Sequence, residues 1–185
     1  MKKSLCLFAA LASVILTALP FSVQAQQKRV SPHETISTVI NGDRVTLVYG
    51  RPYTTKPGTE TARKIWGGLV PYGQVWRLGA DEATLLVTQK PLKFGDATLP
   101  AGVYSLFLLP AEDGTAKLII NKQIGQWGEE YSDSDDVLRV DLTKATLDKS
   151  VDQFTMAIAK SAAGGGLIKL SWENAEYSVA FTPVP

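Results

Sequence analysis

Few side chains in this 185-residue chain are suited to chemistry, and their types restrict what that chemistry could be. His33 is the only histidine and Cys6 the only cysteine, so no pair of imidazoles or thiolates can assemble a zinc motif. His33 could act as a general base beside Glu34 or a more distant carboxylate. The plainer reading, preferred here, is that backbone groups satisfy it at the start of the first strand. Arg51 and Arg77 each lie next to an aromatic residue, Tyr53 and Trp76, and outside any run of charge. A guanidinium fork in such a setting binds carboxylate or phosphate bidentately and stacks on rings. The alternative is an internal pair of Arg51 or Arg77 with Asp81 or Glu82 that holds a loop.

Most of these groups sit in one stretch, residues 63–84, RKIWGGLVPYGQVWRLGADEAT. It carries Trp66, Tyr72, Trp76, Arg77, Asp81 and Glu82, interrupted by glycine wherever the backbone must bend or approach a neighbour closely. The stretch reads as a structured loop followed by a strand. Trp66, Tyr72 and Trp76 could form a platform for a sugar or another flat ligand; Trp66 and Tyr72, beside glycine and proline, read as surface rings, and Trp127 in GQWG belongs with them. Trp76 alternates with Leu78, and Trp172 with Ile168 and Leu170, so both read as core. Glu129, Glu130, Asp133, Asp135 and Asp136 form an acidic segment without the glycine and closing glutamate of an EF-hand loop, and read as solvated. The chain holds no nucleophile elbow, phosphate loop or HExxH helix, and the residues imply no metal or cofactor.

The elements that must position these groups are strands. Asn41-Gly42, both tolerant of positive φ, joins alternating runs at 35–40 and 43–50 in a tight hairpin. Further short runs follow at 83–88, 92–94, 98–99, 102–109, 117–121, 137–142, 151–159, 167–172 and 177–182, separated by turn residues that include Asp113-Gly114, Gly164-Gly165-Gly166 and Asn174. The run GVYSLFLL is apolar on both faces, as in a strand covered from two sides. With no helical period, this pattern predicts an all-β chain: a single antiparallel β-sandwich, jelly-roll-like, with a partly closed β-barrel as the alternative.

The first 25 residues read differently. Lys2 and Lys3 precede an apolar run, and Val23-Gln24-Ala25 offers a cleavage site before Gln26, so residues 1–25 are expected to be a cleavable signal peptide and 26–185 a single domain. Export to the periplasm or beyond is the corresponding expectation, with no membrane span after cleavage. Loss of Lys2 and Lys3 takes the formal charge from +1 to −1, and no basic run remains, which excludes a nucleic-acid-binding surface.

The segments SPHETIS, YGRPY, RKIWGGLVPYGQVWRLGADEAT, LPAGVYSLF and NKQIGQWG resemble the bacterial family called domain of unknown function 2911, across nearly the whole expected mature chain. The resemblance implies an exported β domain and no particular activity. Leu78 stands where the family pattern leads one to expect threonine, and Asp81 where it leads one to expect asparagine, so altered specificity is expected if both positions make polar contacts. The residues leave open a non-catalytic module binding a small ligand, a glycan or an envelope partner, which is preferred. The alternatives are an acid–base enzyme using Glu82 or His33 with Arg77, and a structural envelope protein.

Overall fold

The computed structural model describes residues 29–185. The expected signal peptide and its cleavage point lie outside the described residues. Among the described residues, ten strands form two antiparallel sheets that face each other without closing into a barrel. β1 (His33–Ile40), β2 (Asp43–Gly50), β3 (Thr84–Thr88), β6 (Gly102–Pro110), β7 (Ala116–Asn121) and β8 (Asp136–Asp141) lie side by side in that order. The second sheet has the order β5 (Ala97–Leu99), β4 (Leu92–Phe94), β10 (Gly166–Pro183), β9 (Thr143–Lys160). The β-sandwich expected from turn-punctuated alternation is the fold. Among the described residues no helix is long and apolar enough to cross a membrane.

Alternation produces the core directly. Val45, Leu47 and Tyr49 share the inner face of β2 and are buried. They meet Phe154, Ile168, Leu170 and Trp172 from the opposite sheet in one continuous cluster. Trp76 enters that cluster, stacked on Trp172 at 5.7 Å and edge-on to Phe154 at 5.1 Å, as its alternation with Leu78 predicts. β6 is apolar on both faces for the expected reason: Leu106 and Leu108 face the main core, while Phe107 packs outward with Ile119 under the ring of Tyr131. Buried Asp43 fixes the start of β2, accepting from Thr88 Oγ1 at 2.8 Å and from the Gln89 amide at 3.0 Å.

Two expectations need correction. The runs at 167–172 and 177–182 are one strand, because Asn174 marks an irregularity in β10 rather than a turn: the register slips on either side of Glu173, which adopts φ +49°. The organising stretch contributes no regular strand before Thr84, only isolated pairings. Trp76 pairs with Leu108 of β6, two residues beyond the Thr84–Leu106 pair that begins β3. The chain therefore follows the β3 line at Trp76, leaves it through residues 77–83, and rejoins at Thr84. The Thr84 amide donates to Arg77 O at 3.3 Å and Thr84 Oγ1 to Leu78 O at 2.6 Å, closing this excursion at its base.

Candidate functional site

The excursion at 77–83 carries the site because both of its ends are anchored while its middle leaves the strand line and packs beside the end of β2. Leu78 and Asp81 have φ of +53° and +66°, a left-handed conformation that ordinary side chains adopt only under tertiary constraint. The excursion lies against the end of β2 so closely that a Cβ on Gly50 would overlap the Ala80 carbonyl. Leu78 is completely buried, so at this position the side chain serves packing rather than polar contact. Asp81 occupies a backbone conformation that aspartate and asparagine both tolerate, which accounts physically for either residue there.

The turn at Asp81 divides the carboxylates between two depressions. Asp81 lines a cleft of about 710 Å³, together with Arg63, Trp76, Arg77, Glu129 and Tyr131. Glu82 lines a smaller hollow of about 260 Å³ with Arg29, His33 and Tyr49. His33 joins the two: Nε2 is 2.9 Å from Asp81 Oδ2 and 3.7 Å from Glu82 Oε2. Its partner is thus a distant carboxylate and not backbone, because β1 starts alongside the excursion. Arg29 grips Glu82 with Nε at 2.8 Å and 3.1 Å from the two carboxylate oxygens, and also through Nη2. Those hydrogen bonds and the Arg29 charge hold Glu82 below the usual carboxylate range, with His33 assisting, and they raise Arg29 in turn.

The two arginines of the large cleft are the groups with spare capacity. Arg77 Nη1 is 3.2 Å from Glu129 Oε1, a carboxylate whose side chain is 77% exposed. Arg63 donates through Nη2 to Tyr53 O and has no carboxylate partner among the described residues. Among the described residues, Nε of both arginines is buried and unpartnered. Burial lowers the Arg63 pKa, but a guanidinium keeps its charge at any physiological pH. Gly128 lets Arg77 lie across the cleft wall, since a Cβ there would overlap the Arg77 side-chain stem. Tyr131, above Phe107, is pushed up to about 12 by burial and by Asp136, so its hydroxyl stays protonated.

The expected candidates are therefore partly gathered and partly dispersed. His33, Asp81 and Glu82 come together, and Arg77 shares the cleft with Asp81. Arg77 does not pair with Glu82 or Asp81, nor does Arg51. Arg51 joins the sheets, bonding Phe154 O at 3.2 Å, Thr155 Oγ1 at 2.9 Å and Glu34 at 3.1 Å. Tyr53, 40% exposed, pairs its backbone with Gln153 at the same seam. Tyr72 is 37% exposed at a loop tip, while Trp66 tilts against Tyr177 at 5.4 Å. Of the rings that could have formed a platform, Trp76 lies in the core. Arg29 and Arg63 escaped sequence reasoning; the first lay in a polar lead-in, and only the position of Arg63 inside the organising stretch could have signalled it.

The chain matches the family described as Protein of unknown function (DUF2911) over residues 31–181. It belongs to that family. The matched span takes in both depressions apart from Arg29 and Val30, so the excursion at 77–83 and every strand except the last two residues of β10 lie within the DUF2911 region. No curated protein and no solved structure matches the chain.

Proposed function

We propose that this DUF2911 domain is an exported, non-catalytic β-sandwich that captures a small anionic ligand with an apolar body in the cleft between Arg63 and Arg77. The observation that carries this reading is the convergence of two guanidinium groups with buried, unpartnered Nε atoms on one cleft of about 710 Å³. A buried donor without a partner costs free energy that a bound acceptor recovers once the side chain swings toward it. Glu129 is no strong competitor, because an exposed ion pair contributes only about 0–1 kcal/mol. Leu69, Pro71 and Val75 supply apolar wall for the rest of the ligand. Export follows from the cleavable leader expected at residues 1–25.

A thermal-shift screen of the purified protein against carboxylates, sugar phosphates and uronic acids, with their neutral analogues, tests this reading. A saturable rise in Tm is expected for anionic members only, by mass action, and is expected to vanish in Arg77→Gln and Arg63→Gln. Stabilisation by no anion, or an undiminished response in both variants, overturns it.

The acid–base enzyme is a second reading, favoured by the His33–Asp81 contact of 2.9 Å at the rim of the smaller hollow. It ranks lower because Arg77, invoked to steady developing negative charge, lines the other depression.

A further inference from the structure

A third depression lies where β9 and β10 lose register. β10 advances only from Glu173 to Ala175 while β9 runs from Val151 to Thr146, so residues 147–150 leave the ladder. The Asn174 amide caps that displaced segment by donating to Leu147 O at 3.2 Å. The resulting groove, about 390 Å³, is lined by Trp66, Lys144, Thr146, Ser150, Glu173 and Asn174. Irregularities of this kind re-aim side chains and concentrate near binding sites.

Three side chains define the chemistry of the groove. Glu173 adopts φ +49°, a strained conformation for a glutamate, in the middle of an 18-residue strand. Burial raises its carboxyl pKa, and no cation pairs with it among the described residues. Lys144 lies in the same groove, also without a carboxylate partner among the described residues; its ammonium sits 5.6 Å from the centre of the Tyr177 ring. The indole N–H of Trp66 is buried and has no partner among the described residues. Opposite charges that share a groove without pairing, beside an aromatic ring and two hydroxyl side chains, suit a ligand that is neutral overall, rich in hydroxyls, and apolar on one face.

We infer that this groove is a saccharide-binding site in which Trp66 supplies the aromatic surface and Glu173 accepts hydrogen bonds from ring hydroxyls. The C–H face of a pyranose packs on an indole, and a carboxylate can accept from two neighbouring hydroxyls. Lys144 and the Asn174 amide add donors for ring and hydroxyl oxygens. The site is independent of the arginine cleft, which selects for negative charge.

The four tryptophans make the test direct, because each gives one indole N–H signal in a nitrogen-15 correlation spectrum. The full protein is titrated with chitotriose, maltotriose and cellotriose. At least one of them is expected to move, saturably, the indole signal that is missing from the Trp66→Phe spectrum. Affinity is expected to fall tenfold or more in Glu173→Asn, a residue at home in the left-handed region that keeps the fold but loses the carboxylate. Arg77→Gln is expected to bind as wild type does, which separates this site from the cleft. The inference is overturned if none of the three sugars moves that signal, or if Trp66→Phe or Glu173→Asn binds as tightly as wild type.

Discussion

His33 and Asp81, 48 positions apart in sequence, meet at 2.9 Å between Nε2 and Oδ2. The contact ties the first residue of β1 to the middle of the excursion at 77–83, whose backbone is left-handed at Asp81. Asp81→Ala removes the hydrogen bond and also places a residue poorly suited to φ +66° there. The combined cost is expected to be about 2–4 kcal/mol. Asp81→Asn keeps an acceptor and a tolerated conformation, and is expected to cost less than about 1 kcal/mol. Urea denaturation of both variants checks the difference; equal losses would mean that the negative charge of Asp81, and neither its backbone conformation nor a neutral acceptor, accounts for its contribution.

Arg77 and Glu82 belong to separate ion pairs, with Glu129 and with Arg29. Both pairs are partly exposed, so Arg77→Gln and Glu82→Gln are each expected to lower stability by about 1 kcal/mol or less. Having no shared partner, the two changes are expected to add within about 0.5 kcal/mol in the double variant. A double variant no less stable than either single would reveal a coupling that these contacts do not contain.

The Arg29–Glu82 contact also predicts a pH dependence of stability. Glu82 is held below the usual carboxylate range, so at acid pH the folded state binds fewer protons here than the unfolded chain. Its stabilisation is full above the unfolded value of about 4.3 and is lost as pH falls through the lower folded value. The urea midpoints of wild type and Glu82→Gln, measured from pH 7 downward, are expected to converge only below about pH 4. A gap that stays constant to strong acid would contradict this.

Tyr49 is the most constrained tyrosine of the seam between the sheets. Its hydroxyl donates to Glu34 at 2.8 Å and accepts from the Met156 amide at 3.0 Å, and burial pushes its pKa up to about 12. Tyr49→Phe leaves the Met156 N–H without its partner, and is expected to cost about 1–3 kcal/mol while preserving the ring packing against Phe154. Urea denaturation tests the cost, and amide exchange at Met156, expected to accelerate, tests the cause.

Local chemistry determined the fold class, since alternation and turn residues act over two to five positions. The hairpin at Asn41-Gly42, the two-sided burial of β6 and the core places of Trp76 and Trp172 were therefore legible in the chain. The site was legible only as a neighbourhood. Residues 63–84 held Arg77, Asp81 and Glu82, yet the partner of each lies about 50 positions away. Pairing over such distances depends on which loops the sheets bring together, and no local period records that. The same limit explains Arg51, whose partners Phe154 and Thr155 lie on the opposite sheet. It explains Glu173 as well: side-chain type alone distinguishes a turn from an irregular strand poorly, and only pairing with β9 decided between them.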